Sequence, residues 1–328
     1  MKALVHTAPF VVEYTDWPKP TAGPEDLLVR VKACAICGSD IKGFSGKTGR
    51  RQPPIIMGHE ASGIVESVGE RVTGFAPGDR VTFDSTIYCR MCEFCQSGHP
   101  NLCDNREVLG VSEGTYRRHG AMAEYVIVPY WIAVRMPDSL SFAQAALVET
   151  ASVGVHAANR TPLSLNDTVV IVGAGAVGLV ALQAMRLKGA GRLIVTDLSP
   201  SRLEMAHTMG ADVTIPADAP DLMERLREAT GPRGADAALE AVGLESTFAT
   251  ALEIARKGGS VTLIGNVAPQ ISMALQSVVS REITLYGVCA TNREIPDCVD
   301  LIASGRLNVD PFISEYASIA DGQQVFDR

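Results

Sequence analysis

The chain has 328 residues, with 37 acidic and 29 basic side chains and a formal net charge of −8. Hydrophobic residues make up 46% and charged residues 20%, which excludes a disordered chain and provides apolar mass for about two domains. The acidic balance argues against a nucleic-acid binder built on clustered Lys and Arg, and Met1–Phe10 lacks a basic and then apolar leader, so a cytoplasmic protein is expected.

As far as Pro137, short β-like runs alternate with glycine and proline: Leu27–Ala33, Ser62–Val68, Arg80–Phe83 and Ala123–Pro129. They predict a mostly antiparallel β domain. The stretch Ala143–Asn159 reads as a helix between two regions. Beyond Ser164 the pattern becomes strand then helix. Thr168–Val172, Leu193–Asp197, Val213–Ile215, Ala235–Ala241 and Ser260–Gly265 read as strands. Ala176–Lys188, Ser201–Met209, Asp221–Thr230 and Ser246–Arg256 read as the helices between them. This alternation predicts an α/β chain with a parallel, doubly wound sheet.

Four of the eight cysteines, Cys89, Cys92, Cys95 and Cys103, form C-x2-C-x2-C-x7-C. That spacing suits a closed, tetrahedral four-thiolate zinc site acting as a loop staple. A disulfide cluster would need an oxidising compartment, for which no export signal speaks. The charges around the lobe are mixed, Arg90 and Arg106 against Glu93, Asp104 and Glu107, so no basic face supports a nucleic-acid-binding ribbon. A second donor set lies upstream in Cys37-Gly38-Ser39-Asp40 and Met57-Gly58-His59-Glu60. Thiolate, imidazole and carboxylate together are a zinc set that leaves one position open, the catalytic arrangement. Cys34, on an apolar run, reads as a small core residue.

After the strand ending at Val172 comes Gly173-Ala174-Gly175-Ala176-Val177-Gly178, a G-x-G-x-x-G that opens a helix. The first glycine permits the tight turn, the second the approach of a pyrophosphate, and the third close helix–strand packing. Thr168–Met185 runs without a charge, but this glycine pattern explains it better than a membrane span does. Asp197 ends the following strand, where a carboxylate would bind the adenosine ribose hydroxyls and repel a 2′-phosphate. It favours NAD, while Arg202 keeps NADP open.

Gly58-His59-Glu60-x2-Gly63-x5-Gly69-x2-Val72, continuing to Gly78-Asp79-x-Val81, resembles the signature of the zinc-containing medium-chain dehydrogenase/reductase superfamily. Cys37-Gly38-Ser39-Asp40, the four-cysteine lobe and the glycine fingerprint follow in that family's order. Leu147-Val148-Glu149-x3-Val153-Gly154-Val155-His156 is similar to the polyol branch, with glutamate where simple alcohol dehydrogenases use a third cysteine. The resemblance implies a GroES-like catalytic domain over 1–145 with its zinc lobe at 86–105. It also implies a Rossmann domain binding NAD over 146–284, and a return segment over 285–328. It implies two zinc ions per chain. The catalytic one would be held by Cys37 and His59 with Glu60 or Glu149, and Ser39 would take the alcohol proton. The substrate would be a small secondary alcohol, a sugar alcohol or related polyol, with butanediol-, threonine- and sugar-phosphate-type dehydrogenases as alternatives. Neither nucleic acid nor membrane is an expected partner, and the family implies a homo-oligomer, dimer or tetramer.

Three departures from the pattern stand out. Lys42 replaces the histidine that ends the proton relay in many relatives. Cys289-Ala290-Thr291 stands where sorbitol dehydrogenases carry an arginine–tyrosine pair on the polyol. Relatives also continue beyond Phe326-Asp327-Arg328 into a final strand. Lys42, Lys47, Arg50 and Arg51 read as an exposed basic loop, or else as the rim of a pocket for an acidic sugar.

Overall fold

A computed structural model describes residues 1–328. The chain divides into two units, one of Met1–Glu149 with Thr291–Arg328 and the other of Thr150–Ala290.

The first unit is built on antiparallel strands. β1 (Lys2–Ala8) pairs with β2 (Val11–Asp16) and with the short β4 (Ile55–Ile56). A five-stranded sheet runs in the order β7 (Tyr125–Pro129), β3 (Asp26–Ala35), β5 (Glu60–Val68), β6 (Arg80–Phe83), β8 (Ala133–Arg135). Its core side chains include Leu27, Val29, Val65, Val81, Phe83 and Val128, all at most 1% exposed. Each such side chain contributes about 1.5–3 kcal/mol by leaving water. The ladder between β3 and β5 sets Ala35 opposite Glu60. That register brings the residues just after β3 beside those at the start of β5. The C-terminal segment closes this unit: Val12 N–H donates to Gln323 Oε1 (2.8 Å), and Phe326 packs on Phe44 with ring centroids 4.9 Å apart.

The second unit carries a six-stranded parallel sheet. Its order is β11 (Val213–Pro216), β10 (Arg192–Asp197), β9 (Thr168–Val172), β12 (Ala235–Glu240), β13 (Ala255–Leu263), β14 (Thr284–Gly287). Numbered from the first of these strands, the order is 3-2-1-4-5-6, the doubly wound arrangement. β9 lies between two neighbours and is covered on both faces, which is why Val169–Val172 is an unbroken apolar run. The uncharged stretch that follows is the helix Ala176–Leu187, with Leu179–Leu182, Ala184 and Met185 buried. Its 12 residues span only about 18 Å, short of a bilayer's hydrocarbon core. No helix of the chain is long and apolar enough to cross a membrane.

Two expected elements are corrected. The single helix over Ala143–Asn159 is two, Phe142–Ala146 and Val148–Arg160. The first is fixed by a capping box between Ser141 and Gln144 and ends at Leu147. The helix expected to reach Arg256 ends at Ile254, because Ala255 already pairs with Ala235. β13 therefore begins five residues before the expected Ser260.

Candidate active site

Cys37, His59 and Glu60 converge, with one donor atom from each lying within 4.8 Å of the others. Cys37 caps the helix α1 (Gly38–Phe44). Its Sγ accepts from Ser39 N–H at 3.4 Å, and its own N–H donates to Asp40 Oδ2 at 3.2 Å. Gly58, at φ +92°, turns the chain into β5. A Cβ there would meet Cys34 Sγ at 2.7 Å and Met122 Cγ at 2.8 Å, so only glycine delivers His59 in this way. Cys34 packs against both apolar clusters of the first unit, and burial beside Asp40 and Glu60 pushes its thiol up. It forms no disulfide with Cys37.

Behind the donors lies a buried ionic layer. His59 Nδ1 is 3.4 Å from Asp40 Oδ1, and the Arg51 fork reaches the same oxygen from Nε (3.1 Å) and Nη2 (2.9 Å). Burial works against charge on His59, but the Asp40 carboxylate together with Cys37 and Glu149 outweighs it and raises the imidazole well above its ordinary value. Burial likewise opposes the Asp40 charge, and His59, Arg51 and the Cys37 N–H hold it below the usual carboxylate range. With Nδ1 turned to Asp40, Nε2 is the ring nitrogen that could serve a metal, as in carboxylate–histidine–zinc arrangements. A thiolate, an imidazole and a carboxylate gathered in this way suit zinc with one open position. Glu149 lies outside this group of three. It is buried at the start of Val148–Arg160, and its Oε1 accepts from Ser85 Oγ at 2.6 Å.

The basic stretch before His59 splits in two. Lys42, Lys47 and Arg50 are exposed, but Arg51 is only 6% exposed, so the reading of all four as one exposed loop is corrected. Arg51 is drawn inward because the buried Asp40 needs a partner. Breaking such a buried pair costs about 3–5 kcal/mol. Nothing in the residue types distinguished Arg51 from Arg50; only the fold shows which of them meets Asp40. Arg51 Nη2 also donates to Ser39 Oγ at 3.0 Å.

The four-cysteine lobe is compact. The donor atoms of Cys89, Cys92, Cys95 and Cys103 lie within 4.8 Å of one another, with Sγ–Sγ separations of 3.5 Å for Cys92–Cys95 and 4.0 Å for Cys89–Cys95. Tetrahedral zinc at about 2.3 Å from each sulfur requires about 3.8 Å between sulfurs, so the cage fits that ion. N–H groups of Met91 and Cys92 point at Cys89 Sγ and lower its thiol to about 6. Burial and the neighbouring thiols push Cys95 up to about 12.

In the second unit the glycine turn has the geometry its spacing implies. Gly173 sits at φ +107°, and a Cβ on Gly178 would lie 2.0 Å from Gly173 O, which explains the first and third glycines. Gly175 caps the helix Ala176–Leu187 with nothing within 4 Å of a Cβ position, so the space above the turn is open to a phosphate at the helix N-terminus. Asp197 closes β10 and is fixed by two N–H groups, Ala174 to Oδ2 (2.7 Å) and Ser199 to Oδ1 (2.8 Å). Arg202 is exposed on the following helix.

The alcohol dehydrogenase GroES-like domain family matches residues 23–138, and the zinc-binding dehydrogenase family matches residues 176–304. Sorbitol dehydrogenase of Bacillus subtilis (strain 168) is 34% identical over all of this chain and 93% of its own length. The chain belongs to the zinc-containing medium-chain alcohol dehydrogenase family. Two solved dehydrogenase structures share its fold. The alcohol dehydrogenase TADH from Thermus sp. ATN1 aligns with a TM-score of 0.94 at 32% identity, covering 100% of this chain and 96% of that one. A zinc-binding dehydrogenase from Sinorhizobium meliloti 1021, bound to NADP, aligns at 0.92 and 31%, covering 100% and 95%. As a member of this family the chain is an oxidoreductase. Its first unit is the GroES-like part and its second the Rossmann part.

Proposed function

We propose that the enzyme oxidises a small secondary alcohol, a sugar alcohol or related polyol, and passes the hydride to NAD. The observation that carries this reading is the convergence of Cys37, His59 and Glu60 beside Ser39, in a chain that also holds an open glycine turn. In this reading the first unit is catalytic and the second binds coenzyme. Cys37, His59 and Glu60 hold the catalytic metal, and Glu149, anchored by Ser85, is its further carboxylate neighbour. Zinc held there supplies Lewis-acid chemistry that lowers the pKa of a hydroxyl at its open position. Ser39 Oγ accepts the proton that the alcohol gives up. Cys89, Cys92, Cys95 and Cys103 hold a second, structural zinc.

The N–H groups at Gly175, Ala176 and Val177 receive the pyrophosphate of the coenzyme, with Gly173 and Gly178 shaping the turn. The nicotinamide supplies the hydride acceptor. Asp197 takes the adenosine ribose hydroxyls, and its fixed negative charge supports NAD over NADP. Arg202 is the residue that would serve a 2′-phosphate. Similarity to a sorbitol dehydrogenase supports the polyol class. Cysteines placed for metal ligation rather than for disulfides suit a reducing compartment, which supports the cytoplasm. The family resemblance supports a dimer or tetramer.

The test is reduction of NAD and of NADP by purified, zinc-quantified enzyme with sorbitol, xylitol, 2,3-butanediol, L-threonine and a hexitol phosphate. Turnover of a neutral polyol with NAD and two zinc ions per chain is expected. Turnover of the phosphorylated alcohol alone would replace the substrate class, and exclusive use of NADP would overturn the role of Asp197.

A further inference from the structure

We propose that Arg51 is the positioning residue for the proton-accepting hydroxyl of Ser39, an inference that rests on the dehydrogenase reading above. Arg51 is buried, and its Nη2 serves two acceptors at once, Asp40 Oδ1 at 2.9 Å and Ser39 Oγ at 3.0 Å. Asp40 in turn faces His59 Nδ1 and accepts from the Cys37 N–H. One planar guanidinium thus ties the serine to the partner of a metal-binding histidine and to the cap of the metal-binding cysteine. Ser39 itself is half-buried, so its hydroxyl is reachable while its guanidinium partner is not.

The chemistry of the pair fixes what the hydroxyl can do. A serine Oγ has one proton to give and two lone pairs to receive with, whereas a guanidinium has five donors and no acceptor. Arg51 therefore occupies one lone pair and cannot take the serine proton. The second lone pair is left for the alcohol's hydroxyl, and the serine O–H points to an acceptor other than Arg51. As the alcohol proton arrives at Oγ, the original serine proton leaves to a solvent water hydrogen-bonded to the half-buried hydroxyl, and Ser39 ends neutral. Arg51 sets the direction of this exchange without entering it.

Space has been made for this contact. A Cβ on Gly43 would lie 2.0 Å from Arg51 Cδ and 2.9 Å from Nε, so α1 keeps a glycine in its last turn where the arginine stem crosses. Glycine in a helix is ordinarily destabilising relative to alanine. Its presence here is explained by the side chain that fills the gap.

The experiment is a double-variant cycle on the most active alcohol of the panel, with R51K, S39A and the pair. Lysine keeps the charge that Asp40 needs but lacks the fork that also reaches Ser39. R51K should lower kcat about 10- to 100-fold with KM changed less than about threefold, and should cost less than about threefold further in the S39A background. A second readout needs no turnover. In metal-depleted protein, hydrogen exchange of the 38–44 amides should be faster in R51K than in wild type.

G43A, which keeps the arginine but displaces its stem, should show the same non-additivity with S39A and serves if R51K fails to fold. Wild-type kcat in R51K, or losses that multiply in the double variant, would overturn the role of Arg51 while leaving the dehydrogenase reading intact. A wild-type enzyme that reduces neither coenzyme would overturn that reading, and the role of Arg51 with it.

Discussion

The four-thiol lobe and the Cys37–His59–Glu60 cluster belong to the same unit and use the same kind of donors, but they are assembled differently. The lobe takes all its donors from one short segment, and the N–H groups that face Cys89 come from that segment too. The other cluster needs β3 and β5 in register, a left-handed Gly58, and a buried layer contributed by Asp40 and Arg51. A closed cage can be local because it only has to exist. In the proposed reading, the Cys37–His59–Glu60 cluster leaves a position open for substrate and must keep its geometry without a fourth protein donor, a rigidity that elements distant in sequence supply.

Variants can break this contrast at either end. The largest effect is expected for Cys37→Ser: turnover should fall by more than about a thousandfold while NADH binding, followed by fluorescence, is kept. Full activity in that variant would remove Cys37 from the chemistry. Cys95→Ser should do the reverse. It should lose the lobe's zinc and lower Tm by about 10 °C or more, yet leave the kcat of the remaining folded enzyme unchanged. An unaltered melting curve would show that the lobe is no staple.

Smaller effects separate the glycines of the second unit. Gly178→Ala forces a Cβ against Gly173 O and should destabilise by about 1–3 kcal/mol in a urea titration. Gly175→Ala meets no neighbour, so stability should change by less than about 1 kcal/mol while the Kd for NADH rises about tenfold or more. Equal effects at the two positions would contradict the assignment of Gly175 to the coenzyme.

The smallest effect concerns His6, which packs on Phe44 of α1 with ring centroids 6.1 Å apart. Its Nδ1–H donates to Val11 O, Nε2 has no partner, and burial pushes its pKa below the ordinary 6.5. A histidine depressed in the folded state contributes stability that is fully present above 6.5 and is lost as pH falls through the folded value. Unfolding free energy should therefore fall as pH drops from 7.5 to 5, and His6→Gln should flatten that fall. An equally steep loss in that variant would assign it to another group.

The centre of the parallel sheet was legible because β9 and β10 are nearly unbroken apolar runs and Gly175 and Pro200 mark the starts of the helices after them. The short, partly exposed edge strand Thr284–Gly287 gave no such signal. The lobe was legible because its donors are close in sequence. Element ends were less so. Leu147 interrupts a helix that periodicity draws as continuous, and Ala255 leaves its helix early because a neighbouring strand claims it. The donors Cys37 and His59 stood out as residue types, but the layer behind them did not. Asp40 was visible only as part of a motif, and Arg51 had the look of its exposed neighbour Arg50. Charge in a sequence says nothing about which guanidinium finds a buried carboxylate; the chain path decides that.

The close fit of Gly43 against the Arg51 stem also bears on how this protein's relatives can diverge. The two positions lie on different segments and are coupled: a side chain at 43 displaces the arginine stem, and a shorter residue at 51 leaves a void beside the glycine. A bulkier residue at 43 therefore goes with the loss of both arginine at 51 and the buried carboxylate at 40 that it neutralises. Homologues should therefore sort into two populations at this pair of sites, with few intermediates.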